Sequence, residues 1–427
     1  MRPAALTAAI LFAVPLQAQS ADPRITALIE SISAERLAAT VQALEGFGTR
    51  NTLSDTVSST RGIGAARRWI AAQFQQASPE LQVTFDRHVV PPAGRITREV
   101  VLQNVMAVLP GRSPRRIYVS GHYDTVVLRR ADGPAGGATE DRDNQPAPGA
   151  NDDGSGTALV IELARVFAQS EMEFDATLVF IALAGEEQGL VGARQHATKA
   201  AAERWTIDAV FNNDIVGGSV GGNGRTDSRT VRVFSEGPED SPSRQLARYI
   251  REAAARYVPA HTVRLISRHD RFGRGGDHTA FNQQGFAGVR FTEANENYSR
   301  QHTVEDTFTG VDPAYLARNA QVNAAAMASL ALAPAAPVVT GERGPTLGRG
   351  QGGYDAVLRW RPSAGASAYR VVWREAWTPD WQFSRVVQDT TVVLPGVSID
   401  DYVFGVAAIG AGGHESVVAP YVLAPRR

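Results

Sequence analysis

Arg116-Ile117-Tyr118-Val119-Ser120-Gly121-His122-Tyr123-Asp124-Thr125 opens as an apolar run and closes as a polar cluster. Ile117, Tyr118 and Val119 read as the end of a buried strand, and strand ends are where an α/β chain collects ligands and chemistry. If the backbone stays extended, His122 and Asp124 leave it on the same side. The carboxylate then holds one imidazole nitrogen and leaves the other free for a metal, the support a ligating histidine needs. Taken alone, the pair also fits an ordinary hydrogen bond at a strand end, so the rest of the chain decides.

Met1-Arg2 is followed by an apolar run from Ala4 to Leu16 and by small residues at Ala18, Ser20 and Ala21. This is the pattern of a cleaved secretory signal, assigned to residues 1–20, and it predicts a secreted or periplasmic protein. The run is shorter than the about 20 apolar residues that span a bilayer, and no later stretch qualifies, so no stable membrane insertion is expected. With 427 residues, the chain exceeds the usual capacity of one core and predicts at least two domains. A formal net charge of −1 argues against a nucleic-acid partner. The lack of cysteine rules out a disulfide framework and thiolate chemistry. Any metal must rest on His, Asp and Glu.

Ile25 to Leu44 carries apolar residues at helical spacing, as does Thr60 to Gln75. Leu81 to Val90 and Glu99 to Leu109 read as strands bounded by Pro and Gly. Beyond the opening strand, helix and strand alternate: a helix from Gly156 to Gln169, a strand from Thr177 to Leu183, a helix from Leu190 to Arg204, a strand from Asp208 to Asp214. The alternation predicts an α/β fold, a mainly parallel mixed sheet flanked by helices. The segment between Thr125 and Ala150 reads as a long loop, either at the rim of a site or a solvated insertion. Arg264, Arg268, Arg271 and Arg274 pose a similar choice, between meeting a substrate carboxylate and lying in a solvated loop. An alanine-rich helix, Pro313 to Leu332, is capped by Asp312, and the proline-rich run after it places a domain boundary at 333/334. Residues 22–333 form the first domain. Residues 334–427 change to short strands with intervening turns, a small all-β sandwich. Trp360, the Tyr369-Val371-Trp373 alternation, Leu394-Pro395-Gly396 and Tyr402 to Val406 make that stretch resemble a fibronectin type III domain, with Tyr402 at the tyrosine-corner position. Trp373, Trp377 and Trp381 fit either a surface platform or partial core packing. No partner for this domain is legible.

Four further stretches end elements in the same way as the first. Asn151-Asp152-Asp153-Gly154 is a tight turn entering a helix. A helix N-terminus accounts for Asp153 but not for Asp152, because paired carboxylates repel unless a cation or donor offsets them. The strand ending at Leu183 runs into Ala184-Gly185-Glu186-Glu187. Adjacent glutamates there point different ways, which permits one to ligate and the other to move protons, although a helix start favours acids as well. Asn212-Asn213-Asp214 ends a third strand, and Gln301-His302-Thr303-Val304-Glu305-Asp306 supplies a histidine before the last helix. His88, His196, His261, His269 and His414 lack such surroundings and are not read as ligands.

In this order the motifs GHYDT at 121–125, PGANDDGSG at 148–156, AGEEQGLVGA at 184–193, NND at 212–214 and HTVEDT at 302–307 resemble the M28 family of co-catalytic zinc aminopeptidases. The resemblance spans roughly Thr60 to Leu332. It implies that His122, Asp152 and Asp214 hold one Zn2+ and that Asp152, Glu187 and His302 hold a second, with Asp152 bridging. It further implies Glu186 as general base, Asp124 as the acid orienting the imidazole, and Asp153 as structural. Asp277 and His278 are placed in the pocket wall or behind the ligands. Two dications, three carboxylates and a bridging hydroxide sum to neutrality, which supports the assignment, and Mn2+ or Co2+ also suits such a donor set. Many relatives carry a tyrosine just before the last histidine. Here Gln301 stands there and the nearest tyrosine is Tyr298. The expected activity is exopeptidase action on peptides or proteins with a free N-terminus. The alternatives are a carboxypeptidase, a glutaminyl cyclase-like enzyme of the same fold, and a secreted binding protein without catalysis.

Overall fold

The computed structural model describes residues 21–128 and 142–422; the leader read at 1–20 and part of the long loop, 129–141, lie outside the described residues. Eight strands form one sheet: β1 (Gln82–Val90), β2 (Val100–Leu109), β3 (Ser113–His122), β4 (Ala176–Leu183), β5 (Ile207–Asn213), β6 (Thr230–Ser235), β7 (Thr262–Ile266) and β8 (Gly288–Glu293). Their spatial order is β1-β2-β4-β3-β5-β8-β6-β7. The centre, β4-β3-β5-β8, is parallel, while β1, β2 and the β6/β8 pair run antiparallel. The sheet is therefore mixed and mostly parallel, as the alternating elements predicted.

Alternation along the central strands divides the interior into two cores. Ile117 and Val119, Leu178, Phe180 and Ala182, and Ala209 and Phe211 face a layer built by α1 (Pro23–Glu30), α2 (Ala34–Gly46), α3 (Gly62–Ala77), α4 (Gly154–Ala168) and the later helices α6 (Pro242–Tyr257) and α8 (Pro313–Leu332). Tyr118, Val179, Ile181, Leu183 and Val210 face the other way, onto α5 (Val191–Ala202) and α7 (His278–Gln283). Period-two side chains in buried parallel strands require cover on both faces, and helices supply it. The stretch Ile25 to Leu44 is two helices rather than one. Ser33 caps α2, its hydroxyl accepting from the Arg36 amide, and a serine at that position breaks the run. Arg264 lies in β7, not in a loop.

After α8 a short ribbon, Thr340–Gly341 paired with Gly344–Pro345, leads into two larger antiparallel sheets. Leu347–Arg349, Asp355–Arg359 and Thr391–Ser398 make one; Phe383–Val387, Ala366–Glu375, Tyr402–Gly410 and Ala419–Pro420 make the other. Between them Trp360 packs edge-on against Tyr369, at 5.3 Å between centroids, within a separate core that includes Leu358, Val371, Leu394, Phe404 and Val406. This small β region is joined to the first by polar contacts. Arg374, almost fully buried, holds both oxygens of Asp240 at 2.6 and 2.8 Å, and the Trp381 indole donates to Gln245 at 3.2 Å. The three tryptophans thus divide: Trp381 joins the two regions, Trp373 stacks on Phe383 and Trp377 is exposed. No helix among the described residues is long and apolar enough to cross a membrane.

Candidate metal centre

Three neighbouring parallel strands end side by side, and their registers place the motifs. His122 closes β3 opposite Leu183, the last residue of β4, and Ser120 sits opposite Asn212 of β5. Strands lie about 4.8 Å apart. Glu186 and Glu187, just past β4, and Asp214, just past β5, therefore emerge next to His122. Glycine makes the approach of the next helix possible. A Cβ on Gly121 would lie 2.6 Å from the carbonyl carbon of Gly156, and one on Gly156 would lie 2.2 Å from the Asn213 carbonyl oxygen. With α4 seated this closely, Asp152 and Asp153 are delivered between β3 and β5. The Asp152–Asp153 peptide bond is cis.

Asp153 accepts from the backbone amides of His122 (2.9 Å), Gly156 (2.8 Å) and Ile215 (3.3 Å), tying strand ends and helix start into one frame. Asp152 turns the other way. Its Oδ1 lies 3.3 Å from His122 Nε2, and its Oδ2 lies 3.2 Å from His302 Nε2, which is also 3.2 Å from Glu187 Oε2. His122 Nε2 stands 3.8 Å from Asp214 Oδ1. The five side chains so form two sets, His122–Asp152–Asp214 and Asp152–Glu187–His302, each with donor atoms within 4.8 Å of one another, and Asp152 belongs to both. A third set within the same limit, His122–Glu186–Glu187, places Glu186 beside them.

These spacings fit a metal. Bonds of about 2.0–2.1 Å in a tetrahedron give edges of about 3.3–3.4 Å, close to the 3.2, 3.3 and 3.8 Å separations. Asp152 Oδ2 and Glu187 Oε1 are buried and make no hydrogen bond in the protein, an arrangement that costs about 1–3 kcal/mol per atom unless something else meets them. Electrostatics points the same way. Burial works against charge on His302, yet Asp152 and Glu187 push it up to about 10, and the carboxylates around His122 raise it well above its ordinary value despite its burial. Burial also pushes Glu186 well above the usual carboxylate range. Taken as side chains alone, the cluster holds more negative charge than it can neutralise, and a cation relieves it.

The carboxylate of Asp124 does less for His122 than the sequence predicts. Its Oδ1 is 3.7 Å from His122 Nδ1, whereas its own backbone carbonyl accepts from that nitrogen at 3.1 Å. The carboxylate takes the successive amides of Glu186 (3.1 Å) and Glu187 (3.2 Å) and the Thr52 hydroxyl (3.2 Å). Nδ1 is still occupied, so Nε2 keeps its lone pair for a ligand. His302 is held at φ +56°, a left-handed conformation that costs a non-glycine residue about 1 kcal/mol or more. Its carbonyl accepts from Leu128, and the preceding Gln301 is gripped by Arg274 and Glu296. Asp277 and His278 are buried. The His278 ring donates to the His269 carbonyl at 2.7 Å, and burial pushes the Asp277 carboxyl up to about 8. Neither belongs to a ligand set. Tyr298 is 52% exposed, and the Arg274 guanidinium lies over its ring.

Several contributors are not apparent in the sequence. Asp306 accepts the amides of Asn151 (3.1 Å) and Asp152 (2.9 Å), so the loop that carries His302 also fixes the turn that carries Asp152. Arg290 on β8 is fully buried and pairs with Asp214 at 2.8 Å, and beyond it Arg271 pairs with Asp270 and Glu296. Arg271 is therefore spent internally and cannot meet a substrate. An arginine within the otherwise apolar Gly288–Phe291 run was the available signal for Arg290. Arg50, also fully buried, donates to four carbonyls, those of Tyr123 (2.8 Å), Leu44 (2.9 Å), Pro148 (2.7 Å) and Gly149 (2.8 Å). It stitches the loop after β3 to the turn before α4. Arg50→Met leaves these carbonyls unpaired and is expected to cost about 3 kcal/mol or more of stability, measured as the shift in the denaturant midpoint; a loss under about 1 kcal/mol contradicts this role.

A sheet whose central strands deliver imidazoles and carboxylates to one point is built as a metallohydrolase, and the chain belongs to peptidase family M28, whose model matches residues 104–327. It is a peptidase. A probable zinc metalloprotease of Pyrenophora teres f. teres is 37% identical to it, over 94% of this chain and 88% of the relative. A probable zinc metalloprotease of Leptosphaeria maculans is 38% identical over 92% and 96%. Among solved structures, the Legionella pneumophila LapA aminopeptidase superposes with a TM-score of 0.57 at 22% identity, over 74% of this chain and 78% of that one. The glutaminyl cyclase of Porphyromonas gingivalis gives 0.55 at 17%, over 69% and 98%. At these identities the two structures share the fold.

Proposed function

We propose that the protein is an exported dinuclear zinc aminopeptidase that removes residues from the free N-terminus of peptides or proteins. The carrying observation is the pair of complete donor sets that share Asp152, each at metal-ligand spacing. His122, Asp152 and Asp214 would hold one ion, and Asp152, Glu187 and His302 would hold the other. When bound, zinc polarises the scissile carbonyl and makes water acidic enough to react near neutral pH. Glu186 takes the proton from the attacking water and returns it to the leaving amine. Asp124 accepts both the Glu186 and the Glu187 amide and so fixes the turn that carries the two carboxylates. Asp153 and Asp306 fix the backbone on either side of Asp152, so the ligands are positioned before substrate arrives. The three-stranded and four-stranded antiparallel sheets after α8 support a fibronectin type III-like reading of the second region.

Turnover of aminoacyl anilides and of N-acetylated peptides tests the reading, before and after chelation. Free amines should be cleaved and blocked peptides should not; chelation should abolish turnover and zinc should restore it, at two ions per chain. A glutaminyl cyclase would instead release ammonia from an N-terminal glutamine, and a carboxypeptidase would cleave the blocked peptide from its other end. Chelator-resistant or blocked-peptide cleavage overturns the assignment.

A further inference from the structure

A cleft of about 700 Å3 lies between the start of α3, strands β1 and β2 and the segment around Asn144. Four arginines line it, Arg61, Arg67, Arg87 and Arg98, against two acids, Asp55 and Glu99. Asp55 accepts the amides of Val57 and Ser58, Arg98 pairs with Asp143 at 2.6 Å, and Arg61 donates to the Asn144 carbonyl at 2.6 Å. Arg67 and Arg87 remain, and among the described residues neither has a carboxylate at ion-pair distance. Arg67 is half-buried; burial pushes its guanidinium below the ordinary arginine range, and Arg68 and Arg87 add like charge. A half-buried cation beside a second cation calls for an anion, and the planar guanidinium fork matches a group with two or more oxygens. The cleft also shares a wall with the metal centre. Thr52 lines it and donates to Asp124 at 3.2 Å, and Tyr123 and Ala184 line it next to His122 and Gly185.

We propose that this cleft is an oxyanion site, anchored by Arg67 with Arg87 in support, that takes a carboxylate, sulfate or phosphate group beside the metal centre. The occupant is an acidic group of a bound peptide or a free inorganic anion. The first source rests on the peptidase reading, whereas the second does not, and binding is measured apart from catalysis. Sulfate is titrated at constant ionic strength into the zinc-loaded wild type, Arg67→Met and Arg87→Met, following the thermal midpoint. A saturable rise is expected in the wild type, with affinity about tenfold weaker in Arg67→Met and a smaller weakening in Arg87→Met. Methionine keeps the length of the side chain, and Arg87 is exposed on β1, so Arg87→Met carries the comparison if Arg67→Met does not fold. Peptides with Glu or Gln beyond the scissile bond separate the sources. A peptide occupant gives a lower KM for the Glu peptide, which sulfate and Arg67→Met both erase; a free anion gives the sulfate response with no such difference. An anion that settles on the metals responds alike in all three proteins. That result, or the lack of both a saturable response and a Glu/Gln difference, overturns the site.

Discussion

Glu186→Gln is expected to lower kcat by about 10²–10⁴-fold while leaving the metal content and KM near wild type. Glutamine has the shape of glutamate and keeps the backbone amide that Asp124 accepts, so the turn around Glu187 should persist. Glu186 belongs to neither of the two sets that share Asp152, and its change removes no donor from them. What it does remove is the group that can accept and return a proton, and general acid–base catalysis contributes about that factor. The direction of the environment suits the role: burial pushes this carboxyl well above the usual range, toward the pH at which a base both accepts and releases a proton. Steady-state kinetics with metal analysis on the same sample decides. Activity within tenfold of wild type removes Glu186 from the mechanism. A large loss accompanied by loss of zinc makes it a ligand, and its neighbour Glu187 the candidate base.

The ends of β3 and β4 are legible because they share a recognisable grammar, an apolar run, a glycine, then acids or histidine. His122 is the last residue of β3, Glu186 and Glu187 lie in the turn just past β4, and Asp214 directly follows β5, so the strands predict their neighbourhood. What the sequence hides is how the chain continues beyond those ends. The same-side argument for His122 and Asp124 requires an extended backbone, but β3 stops at His122, and the carbonyl of Asp124 reaches the ring in place of the carboxylate. Arg50, Arg290 and Asp306 were not legible as partners because their bonds span 98, 76 and 154 residues. Charges isolated in sequence reveal pairing only when the fold brings the partner in. Helical periodicity continues on both sides of Ser31 to Ser33 and masks the break there, a case in which local capping chemistry outweighs pattern.

Asp152→Asn is expected to abolish measurable hydrolysis and to remove zinc from both positions, a broader effect than any other single ligand change. The carboxylate is the member common to the two sets, with one oxygen toward His122 and the other toward His302. An amide offers one weak oxygen donor and no charge. Two dications placed close together repel strongly, and a shared anion is what makes the pair tenable. The fold should survive, because the amide of residue 152 still donates to Asp306 and Asp153 keeps its three backbone partners. The diagnostic is comparative. Glu187→Gln and Asp214→Asn each touch one set and should each cost about one zinc per chain, whereas Asp152→Asn should cost both. Thermal stability reports the same linkage: zinc at 100 times its dissociation constant should stabilise the wild type by about 2.7 kcal/mol for each site it fills, and this zinc-dependent rise should vanish in Asp152→Asn. If Asp152→Asn instead loses a single zinc and keeps part of the rise, as Asp214→Asn should, the two sites are independent and the shared carboxylate is not what couples them.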